Sequence, residues 1–384
     1  MKRKIIIFLA VVLLTTAFLI GCEKESGEDS TPSAEPTQAS QLQSNKPQGT
    51  PQINDEVAVG LVYTGEDYET QIIKQSVESL LAVSSIKIKV DVLQADAQEP
   101  GTAISQLVQG GSEIIFICGP DRQKILEAAA LYPNVYFEIY NGTNAAAAPN
   151  VGVFFIKLYQ QQYLNGMIAG FISETGCIGY MAESAQSTDI RRVNAFALGA
   201  KAANPEAQVH FAWAGESAED GFINETADSL SGESCDVIFE MDIDEELYLF
   251  AQQNNVTLMG NAREGYENIL PIIKPDATAY ILSKARSVAL GTYSPDDEIS
   301  GWAGISEGYA PSLDKYPDLT SEQAAAISEA AQEMALGQWD VFTGPISDVY
   351  GQTILPEGVN LPDEDLLQML WYVGNIKALP PPMG

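Results

Sequence analysis

The groups in this chain that could do acid–base chemistry are mostly carboxylates, since it has 52 Asp+Glu and one histidine. The chain contains a single histidine, His210, so a Ser-His-Asp or Cys-His hydrolase would have to use it. His210 lies in an apolar run at 208–213 that is typical of a strand, which favours a structural role. The acidic cluster at 242–246 could exchange protons with a substrate. The same cluster is also typical of the first turn of a helix, where carboxylates interact favourably with the helix dipole.

The motifs of several enzyme classes are missing from the sequence. There is no GxxxxGK[ST] segment and no GxGxxG segment between a strand and a helix, and the one GxSxG spacing, GISEG at 304–308, does not follow any of the strand-like runs as a nucleophile elbow would. We therefore predict a binding protein that is not an enzyme and that needs no cofactor.

The cysteines bear on disulfide formation and on metal binding. Cys118, Cys177 and Cys235 each adjoin an apolar run, while Cys22 stands apart near the amino terminus. Three widely spaced cysteines do not resemble a disulfide framework, so we predict buried, small hydrophobic side chains. A single histidine and the lack of CxxC or HxxxH spacing predict no metal site.

The elements that must position a binding site alternate between strand and helix from Val57 onward. A helical pattern at 70–82 places its apolar residues on one face. Such alternation predicts βαβ units and parallel sheets covered by helices on both faces. Strand-like runs occupy 57–63, 86–93, 113–119, 135–140, 151–157, 177–182, 208–213, 235–241 and 256–260.

The length of this pattern predicts two lobes, because about 330 residues are too many for one such sheet. The predicted crossover helix is Tyr159–Ser173, whose Gly166 and Gly170 permit close packing. In open α/β sheets ligands bind beyond the carboxyl ends of the strands, so two facing lobes predict a ligand cleft between them.

The net charge restricts the partners. With 20 Lys+Arg against 52 Asp+Glu, the formal net charge is −32. So acidic a chain repels phosphate backbones and anionic lipid, which argues against nucleic acid and against a basic membrane patch.

Four segments carry a resemblance to a known family. They read YLNGMIAG at 163–170, GCIGY at 176–180, NAFALGAKAANP at 194–205 and WDVFTGPI at 339–346. In this order they resemble the basic membrane protein (Bmp) family of ABC-transporter substrate-binding lipoproteins, whose best-understood members are purine nucleoside receptors.

The resemblance implies a type I periplasmic-binding-protein fold, an α/β protein with two Rossmann-like lobes and a ligand cleft between them. We predict a two-lobed domain at 56–384, with lobe 1 at about 57–173 plus 285–335 and lobe 2 at about 176–283 plus 336–377. The implied function is capture of a nucleoside or related purine compound by lobe closure and its delivery to ABC permease subunits. The alternative is a lipid-anchored sensory or interaction receptor that binds another small polar metabolite without transport.

The resemblance also places candidate ligand-binding residues at strand ends. In family members that bind nucleosides, aromatic rings hold the base, and carboxylate or amide groups hold the ribose hydroxyls. The family's Gly-Val-Asp-like motif reads Gly260-Asn261-Ala262-Arg263 here, so a different ligand or a nucleoside held differently is expected. Rings at strand ends can instead pack in the core, and the cations can be solvated or ion-paired. The candidates are Tyr63, Tyr68, Gly119, Asp121, Trp213, Glu240, Asp242, Asn261, Arg263 and Lys284.

The amino-terminal residues predict export and attachment to a membrane. Lys2-Arg3-Lys4 precedes an apolar run that is shorter than the roughly 20 residues a spanning helix needs. The run ends in Leu19-Ile20-Gly21-Cys22, which resembles a bacterial lipobox and implies a signal peptide at 1–21 and lipidation of Cys22. The alternative is an ordinary secretory signal. Residues 22–55, rich in Ser, Thr, Pro and Gln, predict a disordered tether at the extracytoplasmic face of the cell membrane.

Overall fold

The structure is a computed structural model. It describes residues 56–83, 86–119, 122–141, 148–182, 186–213, 222–295, 301–305, 311–316 and 318–378. The predicted signal peptide at 1–21, the predicted tether at 22–55 with Cys22, and Asp121 lie outside the described residues. Within the described ranges, every helix is too short or too polar to cross a bilayer.

Strands and helices alternate through most of the described chain, as the sequence predicts. The strands are β1 (Glu56–Tyr63), β2 (Lys87–Gln94), β3 (Ile114–Cys118), β4 (Tyr136–Tyr140), β5 (Val151–Ile156), β6 (Cys177–Ala182), β7 (Gln208–Trp213), β8 (Val237–Asp242), β9 (Thr257–Asn261), β10 (Ile269–Leu270), β11 (Gly301–Ala303), β12 (Ile346–Ser347), β13 (Thr353–Leu355) and β14 (Ile376–Ala378). The α-helices are α1 (Tyr68–Val83), α2 (Pro100–Gln109), α3 (Arg122–Ala130), α4 (Leu158–Ile172), α5 (Ser187–Ala203), α6 (Phe222–Gly232), α7 (Glu245–Asn254), α8 (Thr278–Ala289), α9 (Ser321–Ala335) and α10 (Asp363–Leu367).

The first lobe is built on a parallel sheet whose described strands run in the order β11-β5-β4-β3-β1-β2. Apolar side chains of α1 and α8 join one core cluster with this sheet, and those of α2 and α3 join another. Because the sheet is covered on both faces, every residue of β3 is buried.

The second lobe repeats this arrangement, with its described strands in the order β10-β9-β8-β6-β7-β14. Helices α4 and α5 share one core with the sheet, and α6 and α7 share another. At the start of α7, the Asp244 carboxylate accepts a hydrogen bond from the Leu247 N–H at 2.8 Å. The acidic cluster at 242–246 therefore includes a helix cap, as one of the two interpretations of the sequence predicts.

Helices α4 and α5 pack backbone against backbone. A Cβ atom at Gly166 would overlap the carbonyl oxygen of Phe196, and one at Gly199 would overlap that of Tyr163. Glycine is needed at both positions because of this close approach, which agrees with the expected role of the glycines in the crossover helix. The contact fixes α5, whose first turns carry part of the site described below.

The chain passes between the lobes more than once. Helix α8 packs on the first sheet, whereas α9 packs with α4 in the second lobe's core. The return segment to the first lobe is predicted at about 285–335. Helix α8 already begins at Thr278, before that segment, and α9, which lies inside it, packs in the second lobe. Asp340, in the WDVFTGPI segment, accepts hydrogen bonds from Lys157 Nζ at 2.8 Å, Tyr159 Oη at 3.0 Å and Gln160 Nε2 at 3.1 Å. This carboxylate ties the last part of the chain to the start of α4.

The prediction of unpaired cysteines is wrong for two of the three. Cys177 and Cys235 form a disulfide, with their Cα atoms 4.5 Å apart. The physical reason is the pairing of β6 with β8, in which Ile178 lies opposite Val237 and the two preceding segments meet. Cys118 is free and buried at the end of β3, as predicted.

Candidate functional site

A cavity of about 900 Å³ lies between the lobes, at the carboxyl ends of the strands of the first sheet. The first lobe supplies the loop after β1 and the ends of β3, β4 and β5, and the second lobe supplies the beginning of α5. This is the position at which open α/β sheets bind ligands. The described residues that line it are Thr64, Gly65, Asp67, Glu69, Thr70, Ala97, Cys118, Gly119, Arg122, Ile139, Tyr140, Asn141, Phe155, Ile156, Leu158, Gln186, Thr188, Asp189, Arg191, Arg192 and Trp302.

The loop between β1 and α1 presents a fixed carboxylate to the cavity. The Thr64 N–H donates to the carbonyl of Cys118 at 3.0 Å, which holds the loop against the end of β3. Asp67 accepts from the Thr70 N–H at 2.8 Å and from the Thr70 hydroxyl at 3.0 Å. Both carboxylate oxygens are thereby oriented at the start of α1, where the helix dipole favours negative charge.

A buried ion pair crosses the cavity from one lobe to the other. The Arg192 guanidinium on α5 donates to the Glu69 carboxylate on α1 and lies 3.3 Å from the Asp189 carboxylate. Burial lowers the pKa of Arg192 to about 10, with electrostatic interactions with Tyr68 and Asp67 acting in the opposite direction. The Nε of Arg192 is buried and has no hydrogen-bond partner among the described residues. This pair joins the two lobes across the cavity.

Aromatic rings form a second wall of the cavity. Trp302 stacks on Phe155, with 4.9 Å between ring centroids and an interplanar angle of 27°. The Arg191 guanidinium lies 5.4 Å from the centre of the Trp302 ring and donates to the Leu366 carbonyl at 2.5 Å. Tyr140 lines the same cavity, and burial raises the pKa of its hydroxyl. The wall combines flat apolar surface with a guanidinium held in place.

Of the ten residues predicted for the site, Gly119 lines the described cavity. Tyr68 lies beside it, with its ring centre 6.0 Å from the Arg192 guanidinium, and burial raises the pKa of its hydroxyl to about 12. Tyr63 is buried in the first lobe's core, where its hydroxyl accepts from Lys74 Nζ at 3.3 Å. Asp121 lies outside the described residues.

The remaining predicted residues lie elsewhere in the described structure. Lys284 is fully buried in the first lobe, 3.4 Å from the Glu138 carboxylate. Trp213 packs on Phe211 at the end of β7, with 4.2 Å between ring centroids. The structure does not place either residue against the cavity.

The four candidates at the ends of β8 and β9 form a separate group in the second lobe. Asn261 Nδ2 donates to Asp242 at 3.1 Å, the Glu240 side chain accepts from the Met241 N–H at 3.1 Å, and Arg263 is exposed. Asn261 borders a second depression of about 500 Å³ that also contains Lys274 and Lys315.

Sequence reasoning missed the most distinctive residues of the cavity. Phe155 reads as one more apolar residue of β5, and Trp302 follows a polar stretch without a motif. The adjacent pair Arg191-Arg192 offers the clearest available signal, since basic residues are scarce in this chain and the pair follows the first strand of the second lobe. The rule that sites lie beyond the carboxyl ends of strands could have identified that pair.

Comparison with known proteins gives a family and a fold. A family model described as "ABC transporter substrate-binding protein PnrA-like" (Bmp) matches residues 53–257, just over half of the chain. A solute-binding protein of an ABC transporter system from Conexibacter woesei has a similar structure. Its TM-score is 0.58 at 18% identity, over 74% of this chain and 98% of that one.

Two relatives carry names that mention a ligand. A purine-binding protein of Brucella abortus is 22% identical over 338 residues, covering 85% of this chain and 95% of the relative. A Haloferax volcanii protein, provisionally named an ABC transporter glucose-binding protein, is 29% identical over 247 residues, covering 62% of this chain and 61% of the relative.

Proposed function

Because the chain belongs to the PnrA-like (Bmp) family of ABC transporter substrate-binding proteins, we propose that it binds a nucleoside or related purine compound between its lobes and delivers it to an ABC permease. The observation that carries this proposal is the cavity itself, in which aromatic rings and oriented carboxylates meet at the lobe interface. Its volume of about 900 Å³ is within the range of small-molecule sites.

The aromatic wall suits a flat heterocycle. A purine ring stacks favourably on Trp302 or Phe155, and stacking of a base on an aromatic side chain contributes about 1–3 kcal/mol. The hydroxyls of a ribose need partners when they are buried, and the oriented Asp67 carboxylate supplies acceptors. One ligand with both a flat ring and a polyol matches both walls.

The charges of the lining favour an uncharged ligand. Acidic and basic side chains balance among the described lining residues, although the chain as a whole carries −32. A nucleoside adds no charge to this balance, whereas a nucleotide would bring additional negative charge to the carboxylates. The balancing groups are Asp67, Glu69 and Asp189 against Arg122, Arg191 and Arg192.

The relatives support a purine compound first and a sugar second. The relative whose name contains "purine-binding" aligns over 95% of its length, and the one whose name contains "glucose-binding" aligns over 61%. A sugar would use the same hydroxyl acceptors but would make less use of the stacked rings, so substitution of Trp302 separates the two candidates.

The proposed place of action is the outer face of the cell membrane. A signal peptide at 1–21, lipidation of Cys22 and a tether at 22–55 would hold the lobes near a membrane transporter. Mass spectrometry of the native amino terminus should find an acylated cysteine at position 22, and the Cys22→Ser protein should lack this modification. A native protein whose amino terminus carries no acyl group would contradict the anchor.

Calorimetric titration of the purified protein tests the ligand class. Adenosine, guanosine, inosine, the free purine bases and glucose are the probes, and we expect a nucleoside to bind most tightly. At 100 times its dissociation constant, a ligand raises the free energy of unfolding by about 2.7 kcal/mol, which a thermal melt detects. A melt that no nucleoside or purine base shifts would remove the proposed ligand class.

Two tryptophan variants locate the ligand. Trp302→Ala should weaken nucleoside binding by about 5- to 150-fold, which corresponds to the loss of one stacking contact. Trp213→Ala is the matched control, because Trp213 is also a partly buried tryptophan beside another aromatic ring but does not line the described cavity. Equal affinities of the two variants would show that the base does not stack on Trp302.

A further inference from the structure

Three side chains that bind soft metal ions meet at the end of the second lobe opposite the cavity. Cys177 begins β6, Cys235 precedes β8, and His210 on β7 pairs with Gly179 of β6. One ring nitrogen of His210 and the two cysteine sulfurs all lie within 4.8 Å of one another. Because these strands are parallel, the cluster sits toward the amino ends of the sheet and is separate from the ligand cavity.

The histidine of this cluster lacks a hydrogen-bonding partner on one side of its ring. His210 is 8% exposed, and its Nδ1 has no hydrogen-bond partner among the described residues. The nearest carboxylate oxygen, Oε2 of Glu233, is 3.8 Å away and pairs with Lys377. A buried polar atom without a partner costs about 1–3 kcal/mol, and a metal ion bound at Nδ1 would recover that energy.

We propose that reduction of the Cys177–Cys235 disulfide turns this cluster into a binding site for a thiophilic cation, Zn²⁺. A dithiol reductant supplies two electrons and two protons, is itself oxidised to a disulfide, and leaves two thiols on the protein. Zn²⁺ then displaces both thiol protons to water and binds two thiolates and the neutral imidazole of His210. Water or the nearby Glu233 carboxylate completes four-coordination.

The ligand set and the spacing both fit zinc. Thiolate and imidazole are the ligands that Zn²⁺ prefers, at about 2.3 Å for sulfur and about 2.0 Å for nitrogen. Sulfurs bound to one tetrahedral zinc lie about 3.8 Å apart, and rotation about the Cα–Cβ bonds of the cysteines can provide that separation. Two thiolates also neutralise the dication, which limits the cost of burying the charges.

The site would be controlled by the redox state. In the disulfide the sulfurs carry no proton or charge to exchange for a metal, so the oxidised protein should not bind zinc at this place. The proposal does not depend on the nature of the ligand in the cavity.

Zinc uptake by the full-length mature protein in its two redox states tests the proposal without any substitution. The protein is reduced with a water-soluble phosphine, desalted without oxygen and titrated with Zn²⁺ in competition with a chromophoric chelator. We expect one Zn²⁺ per reduced chain and none per oxidised chain. Co²⁺ should give a sulfur-to-cobalt charge-transfer band in the reduced protein only. Equal uptake by both forms, or no uptake by the reduced form, would overturn the proposal.

Variants then identify the ligands. Cys177→Ser should abolish the charge-transfer band, and His210→Ala should weaken Zn²⁺ binding by at least about 10-fold. Cys118→Ser is the control, because Cys118 is the free cysteine of the first lobe. Circular dichroism and a thermal melt report whether each variant is folded. Unchanged zinc affinity in a folded His210→Ala protein would exclude the histidine as a ligand.

Discussion

The buried ion pair between Glu69 and Arg192 predicts that replacing one of these residues by an uncharged one shifts the protein toward an open form, in which the two lobes are apart. Glu69→Gln keeps the size of the side chain and removes its charge. The side chains of the pair are 18% and 12% exposed, so solvent screens them little. In the variant, the charge of Arg192 has lost this partner. Opening of the lobes returns Arg192 to water, so the variant favours the open form.

The size of the effect follows from the burial of Arg192. Its pKa of about 10 lies below the usual range of arginine because burial removes water from the guanidinium. Removing one partner of a buried ion pair typically costs about 3–5 kcal/mol, because the other charge stays buried without compensation. Asp189 remains 3.3 Å away in the variant, so we expect a loss of about 2 kcal/mol of closed-state stability.

Small-angle X-ray scattering and calorimetry measure this change together. The ligand-free Glu69→Gln protein should have a larger radius of gyration than the wild type. Its apparent dissociation constant for the ligand should rise by up to about 30-fold, because the closed form that binds is less populated. The scattering measurement without ligand separates opening from the loss of a direct contact.

Glu66→Gln is the control for charge and helix position. Glu66 lies close to the start of α1, 3.9 Å from Lys74, and its side chain is 51% exposed, so its pair contributes about 0–1 kcal/mol. If the two variants have the same radius of gyration and the same affinity, the pair does not hold the lobes together and the reasoning is refuted.

Three further variants test the packing and the disulfide. Lys284→Met should destabilise the protein by about 3–5 kcal/mol at pH 7 because it leaves the Glu138 carboxylate buried without its cation. Burial already raises the pKa of Glu138 in the folded protein. The loss of stability in the variant should therefore be small at a pH below the pKa that Glu138 has in the unfolded chain, and it should grow as the pH rises above that value. Equal urea midpoints for variant and wild type at neutral pH would contradict this. Gly199→Ala should cost at least about 1–3 kcal/mol in urea unfolding because its methyl group has no room; a stability gain would show that the helices separate freely. Replacing both Cys177 and Cys235 by Ala should cost about 2–4 kcal/mol, measured by thermal melts against wild type; an unchanged melt would mean that the disulfide is not a stabilising link.

The local elements could be predicted because their signals are local. The predicted strands at 177–182 and 208–213 have the bounds of β6 and β7, and the other predicted strands end within two residues of the observed bounds. Continuous β-branched and apolar runs dictate strands buried on both faces wherever they occur. The crossover helix could also be predicted, because glycines within a helix indicate close packing against another helix.

The site and the disulfide could not be predicted in the same way because they depend on distant residues. Lys284 looks like a candidate cation in the sequence, yet α8 places it beside Glu138, which is far away along the chain. Trp302 and Phe155 come together because β11 pairs with β5. Cys177 and Cys235 meet because β6 pairs with β8. The packing of α8 determines the first contact and strand order determines the other two, and no short segment of the sequence encodes either.

Different parts of α5 serve the packing of the protein and the lining of its cavity. Gly199 and its neighbours lock one part of the helix to α4, while Arg191 and Arg192 in its first turns face the cavity. Mutations that change what the cavity accepts can therefore accumulate in those first turns without disturbing the helix contact. The part of α5 that holds the fold and the part that faces the cavity are therefore open to separate change.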